Sequence, residues 1–183
     1  MLYFAYGSNM ALARIRARIP SAEFVTVATL PGHRLTFCKP GRDQSGKCDA
    51  LFTGNSEDCV IGVVYRIAPE EKPILDRFEG LGVDYHEKTA LLTTPAGDAI
   101  NTYLYVATAM EAGLQPYHWY KHHVQTGAEE AGLPDAYLAQ IRGIESIADP
   151  DPERDALERS IYRGSVESPR PAPSGAPRLP EKE

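Results

Sequence analysis

The chain has 183 residues, which is long enough for one globular domain with a sizeable core. Hydrophobic residues make up 43% of it and charged residues 24%, a composition that excludes global disorder. The net charge of −6 argues against non-specific binding to nucleic acid. No apolar run is long enough to span a bilayer and no secretory signal is visible, so we expect a cytoplasmic protein with no membrane partner.

The first predicted element is a covered strand over residues 2–6, because these residues are apolar or aromatic. Gly7 then permits a sharp turn. Ser8 and Asn9 both belong to the residue types that cap helices, which predicts a helix over residues 9–18. A turn of this kind presents backbone N–H groups that stabilise an anion or a developing oxyanion. An ordinary capped junction between a strand and a helix explains the same residues.

Most of the following chain is predicted to form strands. The run at 59–67 is apolar on both faces, which is typical of a central strand, and Gly62 within it indicates a bulge or the close approach of another backbone. Residues 39–47 form a predicted loop at the rim that could touch substrate. This loop fails the phosphate-loop pattern because Cys48 follows Lys47. The predicted strands are residues 22–30, 33–38, 49–53, 59–67, 83–94 and 99–108.

The cysteines indicate structural thiols. The chain has three, at Cys38, Cys48 and Cys59, without a CxxC pair, which predicts neither a disulfide framework nor a zinc site. Cys48 lies beside a glycine and a lysine, so we expect it to be partly exposed. No histidine lies near it in sequence, and nothing else marks it as a nucleophile.

A short helix is predicted over residues 69–79, with proline in its first turn and Gly80 just past its end. Ile74, Leu75 and Phe78 share one face of it, which we expect to be buried. Glu79 lies at the carboxyl end, where the helix dipole disfavours a carboxylate, and it is a candidate general base. A solvated surface acid at a helix end is the alternative explanation.

The last third of the chain is predicted to be helical at 117–131, at 135–144 and within 150–163. His118 and His122 are four residues apart, a spacing that can bind a metal, but the other ligands of a zincin motif are missing. We therefore favour an aromatic, partly exposed helix face and expect no metal. Residues 164–183 are rich in proline and have no aromatic residue, so we predict a globular domain over 1–163 and a disordered or extended tail over 164–183.

A GxSxG elbow, a GxGxxG fingerprint and a complete phosphate loop are all absent, so serine acyl transfer and nucleotide-dependent hydride transfer lack support. A different set of segments follows in order over residues 2–144: Tyr3-Phe4-Ala5-Tyr6-Gly7-Ser8-Asn9, Gly62-Val63-Val64-Tyr65, Leu75-Asp76-Arg77-Phe78-Glu79-Gly80, Tyr85, Thr102-Tyr103-Leu104, Tyr120 and the run 127–134. Together, and in the same order, these segments resemble the gamma-glutamylcyclotransferase family.

The resemblance implies an α+β fold, a small mixed β-barrel packed with helices. It also implies an enzyme of glutathione metabolism that cyclises a γ-glutamyl group to 5-oxoproline, releases an amino acid or amine, and uses no cofactor. Glu79 would be the acid/base of this reaction. The resemblance also suggests a homodimer. The residues that it implies for substrate binding are Tyr3, Phe4, Ala5, Tyr6, Gly7, Ser8, Asn9, Tyr85, Tyr103 and Tyr120.

The sequence differs from the animal members of the family at two places, so the identity of the leaving group stays open. Gly82-Val83-Asp84 stands where those proteins have a Gly-Met, and the 39–47 loop is this chain's own. An amino acid, an ε-lysyl amine and a γ-glutamyl-protected biosynthetic intermediate all fit. A non-catalytic binder on the same fold, and a relative that hydrolyses or forms an amide bond in the same pocket, are the alternative functions.

Overall fold

The computed structural model describes residues 1–162, so the predicted tail at 164–183 lies outside the described residues. The strands are β1 (Leu2–Ala5), β2 (Glu23–Pro31), β3 (His33–Pro40), β4 (Gly46–Phe52), β5 (Cys59–Arg66), β6 (Tyr85–Thr93) and β7 (Ala99–Ala107). The helices are α1 (Leu12–Arg18), α2 (Lys72–Glu79), α3 (His118–Glu130), α4 (Asp135–Gly143) and α5 (Pro152–Ser160), with short 3₁₀ helices at Ser8–Met10 and Pro69–Glu71.

Five strands form a closed barrel in the order β1-β5-β2-β6-β7, which confirms the expected mixed β-barrel of an α+β protein. The barrel closes where Tyr3 of β1 pairs in parallel with Tyr103 of β7. Strand β5 lies between β1 and β2 and is antiparallel to both, so the prediction of a central strand is confirmed. A Cβ on Gly62 would collide with the carbonyl oxygen of Ala5, which is the predicted close approach of a second backbone.

Strands β3 and β4 form a separate two-stranded hairpin. The predicted loop over 39–47 was too long, because Lys39 pairs with Lys47 and Pro40 with Gly46 inside the hairpin. The true turn is closed by Asp43, whose carboxylate accepts hydrogen bonds from the backbone N–H of Ser45 (3.1 Å) and from Lys47 Nζ (2.7 Å). This turn therefore has its own polar anchors and holds the Lys47 side chain in place.

The first helix begins later than the sequence indicated. A 3₁₀ turn occupies Ser8–Met10, Ala11 is extended, and α1 starts at Leu12. Neither Ser8 nor Asn9 caps it through its side chain, so that prediction was wrong. The backbone N–H of Leu12 instead donates to a carboxylate oxygen of Glu130 on α3 (3.0 Å). A contact from a distant helix thus replaces the expected local cap.

Helix α3 packs against the Ser8–Met10 turn and is more deeply buried than predicted. Trp119 is 3% exposed and Tyr120 6%, and His123 is fully buried, so the expectation of a partly exposed aromatic face was wrong. A Cβ on Gly127 would collide with the backbone of Met10 and Ala11, so this glycine permits close packing. Within residues 1–162, no helix combines the length and apolar character needed to cross a membrane.

Candidate active site

A small polar cavity of about 30 Å³ lies where β1 ends. It adjoins a larger groove of about 270 Å³, and the two share the residues Ser8, Glu79, Tyr85 and Tyr120. The turn after β1, the end of α2 and the first turn of α3 meet here. The cavity is lined by Tyr3, Tyr6, Gly7, Ser8, Asn9, Cys48, Glu79, Tyr85, Tyr105 and Tyr120.

Glu79 is the last residue of α2, and Gly80 behind it takes the left-handed conformation (φ 64°) that ends the helix. One carboxylate oxygen of Glu79, Oε1, accepts hydrogen bonds from Asn9 Nδ2 (2.8 Å) and from Arg18 Nη1 (3.4 Å). No donor within residues 1–162 binds the second oxygen, Oε2. The carboxylate is therefore fixed through one oxygen, and the other is available to a ligand.

Asn9 connects the turn to the carboxylate. Its Nδ2 also donates to the hydroxyl of Tyr3 (3.2 Å), and its Oδ1 accepts from Arg18 Nη1 (3.1 Å). These contacts explain why Asn9 does not cap a helix, since its amide is already bonded to the side chains of Tyr3, Arg18 and Glu79. Arg18 itself stacks on the ring of Phe78, with its guanidinium carbon 5.0 Å from the ring centroid.

The exposed position of Phe78 corrects the predicted face of α2. Leu75 is fully buried and Ile74 packs against the core, as expected, but Phe78 is 55% exposed and lines the groove. The helix ends one residue after Phe78, so the side chain reaches past the core to the rim. There it offers an aromatic surface to Arg18.

The backbone N–H groups of Gly7, Ser8 and Asn9 have no acceptor anywhere in the described part of the chain. Gly7 has a negative φ of −114°, so left-handed geometry does not explain the glycine. Its missing side chain leaves room for strand β4, because a Cβ there would lie 2.9 Å from the Cβ of Cys48. The turn therefore combines close packing with free N–H donors, an arrangement that suits an anionic ligand group.

The tyrosine hydroxyls in the cavity are neutral and are oriented by backbone groups. The pKa values of four hydroxyls lie well above the usual value, mainly because the side chains are buried. These are the hydroxyls of Tyr3, Tyr6, Tyr85 and Tyr120. The hydroxyl of Tyr6 donates to the carbonyl of Tyr105 (2.5 Å) and that of Tyr85 to the carbonyl of Cys48 (3.0 Å). The Tyr120 hydroxyl accepts from the N–H of Cys48 (3.0 Å). The single O–H of Tyr6 and that of Tyr85 are thus already donated to backbone carbonyls. All four hydroxyls stay protonated near neutral pH, so none of them acts as a base.

Cys48 is a structural residue of the cavity wall. It is 3% exposed, so the expectation of partial exposure was wrong. Burial raises the pKa of its thiol to about 12. The thiol is therefore protonated near neutral pH and does not provide a nucleophile.

The structure brings together most of the residues that the resemblance assigns to substrate binding. Tyr3, Tyr6, Gly7, Ser8, Asn9, Tyr85 and Tyr120 line the cavity with Glu79. Phe4, Ala5 and Tyr103 do not. Phe4 lies on the opposite face of β1 against Gly62, Ala5 is fully buried, and the ring of Tyr103 packs behind that of Tyr3 with centroids 5.5 Å apart.

The sequence interpretation missed two members of the cavity wall, Tyr105 and Cys48. Tyr105 shares a strand face with Tyr103, so the alternation along β7 was a signal that either tyrosine could reach the site. Nothing in the sequence indicated Cys48, which reaches the cavity only through the packing of the hairpin.

The histidine pair on α3 is occupied by other contacts. His118 Nδ1 lies 2.9 Å from the hydroxyl oxygen of Ser146, and the ring of His122 packs edge-on against Tyr162 at 5.2 Å between centroids. Residues 1–162 contain no group of three or more His, Cys, Asp and Glu side chains arranged to hold a metal ion.

A closed mixed barrel with helices packed around it, and a polar cavity where its first strand ends, defines the gamma-glutamylcyclotransferase-like fold class. The model of the AIG2-like family matches residues 59–141. A gamma-glutamylcyclotransferase of Bos taurus is 31% identical over 91% of this chain and 90% of its own length. The Mus musculus protein of the same name is 32% identical over 89% of this chain and 88% of its own length.

A solved structure described as a gamma-glutamyl cyclotransferase superposes with a TM-score of 0.78 at 29% identity, and covers 87% of this chain and 98% of its own. The chain belongs to the gamma-glutamylcyclotransferase family.

Proposed function

We propose that this protein is a gamma-glutamylcyclotransferase in which the α-amine of the substrate attacks its own γ-glutamyl carbonyl. The products are 5-oxoproline and a free amine or amino acid. The observation that supports this most strongly is the arrangement of Glu79, which Asn9 and Arg18 hold through Oε1 while Oε2 has no donor within residues 1–162. The relatives that cover most of the chain carry the name of this activity.

The chemistry requires a proton carrier rather than a protein nucleophile. The substrate's α-amine is mostly protonated near neutral pH and must lose a proton before it attacks. Glu79 would accept that proton, and it would return one to the leaving nitrogen as the new C–N bond forms and the amide C–N bond breaks. The protonated thiol of Cys48 and the neutral tyrosines fit this scheme, since none of them needs to form a covalent bond.

The turn after β1 would stabilise the negative charge that develops on the γ-carbonyl oxygen or hold the substrate's α-carboxylate. Its three N–H groups, at Gly7, Ser8 and Asn9, have no acceptor in the described chain. The cavity admits only a few atoms, so the γ-glutamyl group would extend into the adjoining groove. Confinement of this kind favours the folded substrate shape in which amine and carbonyl meet.

The test is to incubate the purified protein with γ-glutamyl amino acids, γ-glutamyl amines and glutathione and to detect 5-oxoproline by mass spectrometry. Glu79→Gln keeps the shape of the side chain but cannot carry the proton, so we expect at least about a hundredfold loss of kcat. Glu70→Gln, at an exposed glutamate of the preceding 3₁₀ helix, is the matched control and should retain parental activity.

Full activity of a folded Glu79→Gln protein would refute the assigned role of Glu79. Release of glutamate in place of 5-oxoproline would show a hydrolase in the same pocket. Binding of γ-glutamyl compounds without any product would show a non-catalytic binding protein.

A further inference from the structure

Helix α2 carries Glu79 but has few apolar contacts with the barrel. Of its eight residues only Leu75 is buried, and Phe78 is 55% exposed at the rim of the groove. Asn9 and Arg18 bind the carboxylate of Glu79 at the very end of the helix. Because a helix this short is stabilised mainly by tertiary contacts, its orientation must depend on further contacts along its length.

Asp76, three residues before Glu79, provides such a contact. Its Oδ1 accepts a hydrogen bond from the hydroxyl of Tyr105 on β7 at 2.6 Å. Burial and the hydrogen bond to Asp76 both raise the pKa of Tyr105, so the hydroxyl keeps its proton and is the donor. The backbone carbonyl of Asp76 accepts from the N–H of Leu81 at 2.9 Å, in the cap that ends the helix behind Glu79. Asp76 therefore connects the end of α2 directly to the barrel.

Lys72 attaches the same helix to the neighbouring strand, β6. Its ammonium lies 2.7 Å from Asp76 Oδ1 and 2.6 Å from Glu87 Oε2. Burial would lower the pKa of Lys72, but the hydrogen bonds to these two carboxylates raise it above its usual value, so the amine is charged. The ammonium also lies 5.2 Å from the centroid of the Tyr103 ring. Polar groups thus hold α2 to both β6 and β7, and Asp76 belongs to both attachments.

The contacts of Asp76 and Glu79 meet in the cavity wall. Residues three apart lie on one face of a helix, so both carboxylates leave α2 on the same side. Glu79 is bonded to Asn9, whose amide also donates to the hydroxyl of Tyr3. The ring of Tyr3 packs edge-on against that of Tyr105, with 5.7 Å between centroids. The chain of contacts returns through Tyr105 and Asp76 to α2, so it forms a closed ring that includes Glu79.

We propose that Asp76 is a positioning residue for the reaction: its bond to Tyr105 fixes the end of α2, and with it Glu79, relative to the turn after β1. Asp76 lines neither the cavity nor the groove, so it acts through Tyr105 and not on the substrate. A displacement of a reacting group by about 1 Å costs up to about a hundredfold in rate, whereas the turn that would bind the γ-glutamyl group stays in place. This inference rests on the proposed cyclotransferase function.

The experiment measures kcat and KM for 5-oxoproline release from the γ-glutamyl compound that the parent protein turns over fastest, with circular dichroism to establish that each variant is folded. Asp76→Ala removes the acceptor of the bond, and Tyr105→Phe removes the donor but leaves the ring in the cavity wall. We expect each to lower kcat about tenfold and to change KM less than about twofold. The variant with both changes should lie within about twofold of either single variant, since both break the same bond. Asp76→Asn keeps an oxygen that can accept from Tyr105, so it should retain most of the parental kcat.

Asp155→Ala is the matched control, because Asp155 is a partly exposed aspartate that is paired with Arg159 on α5 at 2.8 Å. It should leave kcat and KM unchanged. Parental kcat in a folded Asp76→Ala or Tyr105→Phe protein would overturn the positioning role. A raised KM with unchanged kcat would show that these groups bind substrate, and losses that multiply in the double variant would show that they act independently. Either result would overturn the role while leaving the cyclotransferase reaction intact. No 5-oxoproline from any γ-glutamyl compound with the parent protein would overturn the proposed function, and this inference with it.

Discussion

Arg18 is the residue on which the orientation of Glu79 depends. Its guanidinium binds both Asn9 Oδ1 and Glu79 Oε1 from one nitrogen, and the stack on Phe78 holds the group in place. The side chains of Arg18 and Glu79 are 19% and 15% exposed, so solvent screens this ion pair less than a surface pair. Arg18 reaches the site without lining the small cavity, which makes it a positioning residue.

We expect Arg18→Met to lower kcat roughly tenfold with a small change in KM, because the apolar stem is kept and the orienting hydrogen bonds are lost. Steady-state kinetics on the best substrate of the panel measures this split, and Arg18→Lys should restore part of kcat. Arg66→Met, which removes an exposed arginine on the barrel, is the control. An unchanged kcat in a folded Arg18→Met protein would show that Asn9 alone positions the carboxylate.

At this scale the identity of several candidate site residues was predictable from the sequence, but their partners were not. The resemblance pointed to Glu79, which lines one cavity together with seven of the ten expected binding residues. It could not distinguish Tyr103 from Tyr105, since neighbours on one strand face differ only in how the opposite elements pack. The contact between Arg18 and Glu79 joins residues 61 apart and has no local signature.

At the scale of whole elements, a buried polar cluster fastens α5 to α1 and α3. His123 Nε2 lies 3.0 Å from Arg14 Nη1 and 3.1 Å from Glu158 Oε2, and its Nδ1 lies 2.6 Å from the Tyr162 hydroxyl. Burial, reinforced by Arg14 and opposed by Glu158, lowers the pKa of His123 to about 4. The neutral ring has one donor and one acceptor nitrogen, so Nε2 either accepts from Arg14 or donates to Glu158, and Nδ1 takes the opposite role toward Tyr162.

This cluster predicts a loss of stability on acidification. The pKa of His123 falls from 6.5 to about 4 on folding, so below about pH 6.5 the unfolded chain binds the proton more tightly. The contribution of His123 to the free energy of unfolding is therefore complete above about pH 6.5 and is lost as the pH falls toward 4. We expect the free energy of unfolding to drop by up to about 1.4 kcal/mol per pH unit in this window. The carboxyl of Glu158, with its pKa lowered to about 2, adds a further loss at lower pH.

Urea denaturation across this pH window measures the slope. His123→Leu should flatten it, because the titrating ring is gone, and the same change at the exposed His118 should leave it as in the parent. The other charged groups that face His123 are Arg14, Glu158 and His122. A parental slope in His123→Leu would assign the acid sensitivity to those groups or to a different part of the fold.

The elements themselves were mostly predictable, and the errors have a common cause. The alternation and the turn residues located every strand to within a few residues, because local patterns determine which face is buried. The expected helix over 9–18 was wrong at its start because Asn9 serves Glu79 instead of a cap. The hairpin was longer than predicted because Asp43 satisfies its turn. In both places a tertiary contact overrides the local propensity.

At the scale of the whole molecule, closure of the barrel assembles the candidate site. Closure pairs Tyr3 with Tyr103, a hundred residues away, and sets the turn after β1 beside the ends of α2 and β4. Composition and periodicity contain no information on such pairings, so the barrel was an expectation of the family resemblance alone. The same closure concentrates positive charge in one groove of an otherwise acidic protein.

The functional unit is expected to end near residue 163. Residues 1–162 provide the cavity with Glu79, the adjoining groove and α5 with its buried cluster. We therefore expect a chain truncated after residue 163 to keep kcat/KM within about twofold of the full chain and to unfold at the same temperature. Kinetics and thermal denaturation of the two proteins, prepared in parallel, measure this. If the truncated protein lost turnover but kept its unfolding temperature, residues 164–183 would take part in the reaction. If it lost both, the boundary at 163 would be wrong.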